Sequence, residues 1–177
     1  MTDADWAALK QLLATPQLAE LGPARRPGTL SETELTRALK PILSPARHSA
    51  RSGELIRALL LLWHEHLDAS HAISQGIEDA DGSFLHALMH RREPDFWNAK
   101  YWWRRVGAHP AFPEIARRAG DVLRRRGAEE LAKKILPGGK WDTFAFVDSC
   151  EKDSGSDVLR ELQRIEFEVL LERFGLE

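Results

Sequence analysis

One cysteine, one tyrosine and two methionines among 177 residues close off several kinds of chemistry at once. A lone Cys150 cannot form an internal disulfide and suits a reducing compartment, so a cytoplasmic protein is expected. It lies between Asp148 and Glu151, and that negative setting disfavours a reactive thiolate. The apolar run from Leu59 to Trp63 is far shorter than the roughly 20 residues needed to span a bilayer, which argues against a membrane partner. The N-terminal residues lack the basic and apolar regions of a signal peptide. There is no G-x-S-x-G elbow, no phosphate-cradling glycine loop and no dinucleotide fingerprint. Long alternation of polar and apolar residues is missing too, which removes the usual signature of a sheet.

What is present is helical periodicity almost everywhere. Trp6, Leu9, Leu12 and Leu13 form a first stripe, and residues 22–28 read as a loop. Ser31 and Glu34 make a capping box ahead of Leu35 and Leu39. Leu55, Ile56, Leu59, Leu60, Leu62, Trp63 and Leu67 wrap most of the circumference of a segment over residues 52–75, as in a buried helix. Asp81 or Ser83 is placed to cap the helix that follows, Pro94 ends it, and Asp95 and Gly107 bracket the next. Further helices are expected near 113–126, 128–136 and 141–150, and from about 156 to the end. The expected fold is all-α: a compact bundle of seven or eight helices around a central apolar helix over 52–75. The whole chain, 1–177, reads as a single domain.

A near-neutral net charge of −2 conceals an asymmetry. Residues 91–140 hold 13 Lys and Arg against 6 Asp and Glu, whereas 141–177 hold 4 against 10. The basic middle is expected to meet the acidic C-terminal helix. Arg124, Arg125 and Arg126 at a helix end fit a solvated face beside a favourable dipole better than a nucleic-acid patch.

Between Trp63 and His109 lie six of the seven histidines and four of the six tryptophans. His64, Asp68, His71 and Gln75 recur at helical spacing, giving a polar stripe on an otherwise apolar segment. His86 and His90 stand one turn apart, a spacing that can put two imidazoles on one metal ion. Ala87 occupies the position where a metalloprotease of the H-E-x-x-H type needs its glutamate, so that reading fails. A zinc-like divalent transition metal on His71, His86 and His90 is one expectation. A metal-free site is the other, with His71, His86 and His90 as acid–base groups and Glu93 or Asp95 orienting them. Trp97, Asn98, Tyr101 and Trp102 are candidates for holding a small polar substrate, and Arg91 for gripping its carboxylate or phosphate. The blander readings are core packing for the tryptophans, N-capping for Asp95 and a salt-bridged face for the arginines.

Three short blocks, Trp63–His71, His86–Asp95 and Asn98–Trp102, with Gly107-Ala-His-Pro110 after them, carry a resemblance. Together they resemble a family of uncharacterised microbial proteins with the same His, Glu/Asp and Asn-x-x-Tyr-Trp arrangement. The resemblance covers about residues 55–112 well and the last helix loosely. It implies that this block is one site and implies no activity. On the residues themselves, a small-molecule hydrolase or lyase is expected, with its site within about 52–112. The competing expectation is a non-catalytic module that binds a small ligand or a partner, its histidines forming a structural polar core.

Overall fold

The computed structural model describes residues 2–44 and 49–176, and all regular structure among them is helical. Ten α-helices follow in chain order: α1 (Asp3–Leu13), α2 (Glu32–Leu39), α3 (Ala50–Trp63), α4 (Leu67–Ser74), α5 (Ala80–Arg92), α6 (Phe96–Val106), α7 (Phe112–Arg125), α8 (Glu129–Ile135), α9 (Thr143–Lys152) and α10 (Asp157–Leu176). A single 3-10 turn, Pro137–Gly139, leads from α8 towards α9. None of the described helices is long and apolar enough to cross a membrane.

Several ends lie where local chemistry puts them. Ser31 accepts from the Glu34 backbone while the Glu34 carboxylate returns to the Ser31 N–H, so both otherwise orphaned donors are satisfied. Asp95 accepts from the Asn98 N–H at 3.2 Å and opens α6, and Gly107, with φ +61°, closes it. The cap of α5 differs from expectation. Asp79, rather than Asp81 or Ser83, accepts from two backbone N–H groups, at 2.9 and 3.0 Å. Asp81 is thereby drawn into the first turn and freed for other partners.

The helix count exceeds seven or eight, and one reason lies in the middle of the chain. The single helix expected over 52–75 is two helices, α3 and α4, broken at His64–His66. Neither glycine nor proline marks the break. Instead Glu65 adopts φ +71°, the His66 N–H reaches the Leu61 carbonyl at 2.9 Å, and the Glu65 N–H reaches Leu62 at 3.2 Å. This is a Schellman ending with a glutamate in the left-handed position usually given to glycine. That conformation costs a side-chain-bearing residue about 1–2 kcal/mol, so tertiary contacts must offset it. They do: the buried Glu65 carboxylate is shared by Arg26 and by Arg92, the latter at 2.6 Å. Arg92 also donates to the Leu62 carbonyl, adding to the bond from the Glu65 N–H at the helix end.

One buried apolar cluster extends from Leu9 on α1 to Phe174 on α10. α3 packs on α4, α5 and α10, while α5 packs on α3, α4 and α6. Every residue of α5 from Asp81 to Arg92 is buried, so its polar side chains cannot look to solvent. A Cβ on Gly82 would lie 2.0 Å from the Ile77 carbonyl oxygen; only glycine lets the α4–α5 turn pass this close. At the far end of α5, Arg91 gives two hydrogen bonds to Glu166 of α10, at 2.6 and 3.1 Å, and one to Gln163. Burial pushes the Glu166 pKa up, and Arg91 opposes that shift.

Removing one member of that pair leaves the other as an isolated buried charge. Arg91→Met should therefore lower unfolding free energy by about 3–5 kcal/mol in urea denaturation. Adding Glu166→Leu should recover a substantial part of the loss, because the uncompensated carboxylate goes with it. A double variant as unstable as the sum of the single ones would rule out this account.

Candidate functional site

α4 and α5 bring three imidazoles together. The ring centroid of His71 lies 4.9 Å from His86 and 5.7 Å from His90, edge to face in both cases. The His86 and His90 rings, one turn apart on α5, are 6.1 Å apart. α6 closes the group from the other side. Trp102 stacks on His86 at 4.0 Å with only 17° between the ring planes, and Tyr101 abuts Trp102 edge-on at 5.5 Å. The Arg105 guanidinium lies 5.4 Å from the centroid of the Trp102 ring.

Hydrogen bonds decide which nitrogens are free. His86 Nδ1 is 3.3 Å from the Gly82 carbonyl, which can only accept, so Nδ1 carries the proton and Nε2 is left with its lone pair. His90 Nδ1 lies 3.1 Å from the Glu93 carboxylate, which likewise places a proton on Nδ1. The Asn98 side-chain nitrogen approaches the His90 ring at 3.1 Å from Nε2 and 3.3 Å from Nδ1. His71, half-buried on α4, has ring contacts with the other two imidazoles and, among the described residues, no hydrogen bond from its own ring.

Burial pushes the His86 pKa down to about 4, with the neighbouring His71 and His90 adding to the shift. Burial also lowers that of His90, against the pull of Glu93. The buried pair on α5 is thus neutral at physiological pH, able to accept protons and not to present a standing positive charge.

A cleft of about 590 Å³ lies next to this cluster, but His71, His86 and His90, expected to line one cleft, are not among the residues that line it. It includes Asp68, one turn before His71, together with Glu93, Asp95, His66, Glu32 and Arg25. Glu93 belongs to both places, since the same carboxylate that holds His90 also lines the cleft.

The remaining expected residues separate by environment. Asp95 caps α6 and stands on the cleft wall. Trp97 is 75% exposed and Tyr101 41%, on the outer side of α6. Arg91 is the clear correction: fully buried and bound to Glu166, it cannot grip a ligand. Arg92 is equally withdrawn, around Glu65. Among the described residues, no group of three or more His, Cys, Asp or Glu side chains is arranged to hold a metal ion.

Half of the histidine concentration lies outside this cluster. His64 accepts from the Leu30 N–H at 3.0 Å and donates to the Leu12 carbonyl at 2.9 Å, tying the end of α1 and the loop before α2 to the end of α3. It was expected to share a stripe with His71, and the break at Glu65 removes it from that face. His66 donates to the Leu30 carbonyl at 2.8 Å. His109 donates to Asp81 at 2.9 Å and accepts from the Ala111 N–H. Arg173 and Arg51 add hydrogen bonds to Asp81 at 3.0 and 2.5 Å. Burial alone would raise the Asp81 pKa, but these three partners outweigh it and hold the carboxyl well below the usual range. No local signal announces this hub, since its members come from α3, α5, α10 and the loop before α7.

Comparison with known proteins leaves the geometry to speak for itself: no protein family, no curated protein and no solved structure matches this chain.

Burial also pushes His64 down to about 4, so His64 and His86, like His90, have folded pKa values below their ordinary 6.5. The unfolded chain therefore takes up protons first as pH falls. Stability is complete above about pH 6.5 and declines towards pH 4, by at most about 1.4 kcal/mol per pH unit for each group. Urea midpoints measured from pH 7.5 to 4.5 should fall, and His64→Gln should flatten the slope. An unchanged slope in that variant would remove His64 from the explanation.

Proposed function

We propose that the His71, His86 and His90 cluster is the reaction centre of a hydrolase or lyase acting on a small polar molecule. The observation carrying this reading is the Glu93–His90 pair beside two further imidazoles, His71 and His86, with the Glu93 carboxylate also lining a cleft. In it, His90 is the general base. Glu93 fixes its tautomer through Nδ1–H and stabilises the imidazolium formed when Nε2 takes a proton from water or from substrate. Asn98, already within hydrogen-bond reach of that ring, orients the group being deprotonated. His86 Nε2 and His71 accept hydrogen bonds from substrate, and Trp102 forms the apolar wall behind them. Asp95 acts as a helix cap at the cleft wall, and Trp97 and Tyr101 offer stacking faces further out.

A zinc-like ion on His71, His86 and His90 is the metal-assisted version of the same reading. The three rings are grouped closely enough to be recruited, yet their present orientation does not form a ligand set. Ring rotation would have to accompany binding. The rival reading is a binding module without catalysis, favoured by one specific observation: the exposed Trp97 on the outer side of α6.

An activated ester separates these readings. Hydrolysis of p-nitrophenyl acetate by metal-free protein should exceed that of an equal concentration of free imidazole. It should fall at least tenfold in His90→Ala and by a smaller factor in Glu93→Gln, whose amide can still accept from Nδ1–H. Hydrolysis that appears only after one equivalent of zinc is added selects the metal-assisted version. Rates equal to free imidazole, unchanged in both variants with or without zinc, would leave the binding module.

A further inference from the structure

α6 presents two unlike faces. Ala99, Trp103 and Val106 are buried against the core. Trp97, Tyr101, Arg104 and Arg105 recur at helical spacing on the other side, and all four are exposed. Among the described residues, Trp97, Tyr101 and Leu176 are the exposed large apolar side chains, so two of the three share this one face. Trp97 makes no ring contact with any other described residue.

The two arginines supply an independent observation. Elsewhere on the surface, Arg117, Arg118 and Arg124 on α7 and Arg160 and Arg164 on α10 each have a carboxylate partner. Arg104 and Arg105 have none among the described residues. Each lies over a ring instead, Arg104 5.4 Å from the Phe144 centroid and Arg105 5.4 Å from that of Trp102. Stacking orders a guanidinium and leaves the N–H groups on its edge free, so little freedom is lost when a carboxylate arrives. The other end of the same helix carries the opposite charge. Glu93 and Asp95 stand just before α6, both exposed, and neither is paired with a lysine or arginine among the described residues.

We infer that two copies of this chain meet through this face of α6, packed antiparallel about a two-fold axis near Tyr101. Such a contact requires a surface that is complementary to itself. Reversing the helix brings the carboxylates of one copy towards the arginines of the other at both ends, with the aromatic rings between. Equal steps from Tyr101 set Arg105 opposite Trp97 of the second copy, and Asp95 lies two residues further on, about 3 Å along the axis and within reach of a guanidinium. A parallel pairing would set arginine on arginine. Tryptophan, tyrosine and arginine are also the residues that dominate binding energy at interfaces. Four exposed rings, two from each copy, supply roughly 500 Å² of contact, at the small end for interfaces, so the dimer is a weak one. An acidic segment of another protein would answer the arginines but leave Glu93 and Asp95 unanswered. The α6 residues that touch the histidines, Asn98 and Trp102, lie off this face, so the contact does not depend on what the histidines do.

Sedimentation velocity of the full-length protein over a concentration series tests it. At low salt the mass should rise from one chain to two within about 1–100 μM, and salt should loosen the dimer. Trp97→Ala should raise its dissociation constant about tenfold or more. The Arg104→Glu, Arg105→Glu double variant should be monomeric. So should Glu93→Lys, Asp95→Asn, in which asparagine keeps the helix cap. Mixed in equal amounts, the two double variants should pair again, because each offers the charge the other lacks; loss of folding could not be rescued in this way. A chain that stays monomeric throughout the series overturns the inference, as does a dimer indifferent to Trp97→Ala and to both charge variants. Failure of the mixed variants to pair overturns it too. A monomer whose tryptophan fluorescence shifts with oligoglutamate and not with oligolysine would overturn the second copy in favour of an acidic segment of another protein.

Discussion

The buried Glu65 carboxylate, held between Arg26 and Arg92, is the contact on which the arrangement of the site depends. It keeps a glutamate in a left-handed conformation and so stops α3 at Trp63. Because α3 stops, α4 can set off in a new direction with His71 on the side that meets α5. Had the helix run on through residue 75, His64 and His71 would have stayed on one continuous stripe. The same ion cluster draws in the loop after α1, since Arg26 also donates to the Gln17 carbonyl and to the Thr15 hydroxyl. That loop forms one wall of the cleft.

A chain with so many charges in its interior obtains stability and specificity from different sources. The apolar cluster from α1 to α10 supplies most of the driving force, through burial of aliphatic and aromatic surface. Buried ions add little net energy, because desolvation offsets much of their attraction. What they contribute is register. Arg91 with Glu166 fixes α5 against α10, and Asp81 with His109, Arg173 and Arg51 fixes the opposite end of α5. α5 is thereby pinned at both ends, and His86 and His90 lie on the rigid segment between. A rigid support is what a site needs if its imidazoles are to hold one tautomer and one orientation.

The division between the cluster and the cleft has a physical logic. The two α5 imidazoles are buried, His86 against Trp102, and uncharged at physiological pH, as suits proton transfer. The cleft next to the cluster is lined largely by carboxylates. Glu93 joins the two, because its carboxylate is at once a partner of His90 and part of the cleft wall.

Much of this was legible in the chain. Periodicity gave the all-helical class, the capping box at Ser31 and the boundaries of α6 between Asp95 and Gly107, because these depend on residues within a turn of each other. The proximity of His71, His86 and His90 could be expected from a short connection between neighbouring helices. Sequence could not separate those three histidines from His64, His66 and His109, since all six are the same residue in similar apolar surroundings. Only the tertiary structure made that division, by setting backbone carbonyls at Leu12 and Leu30 and the Asp81 carboxylate against the latter three. It also decided that Arg91 and Arg92 turn inwards, although nothing within a helical turn of them distinguishes a core arginine from a ligand-binding one. Their partners, Glu166 and Glu65, lie 75 and 27 residues away in the chain. A buried charge is settled by whichever distant group can neutralise it, and that choice is made when the helices pack.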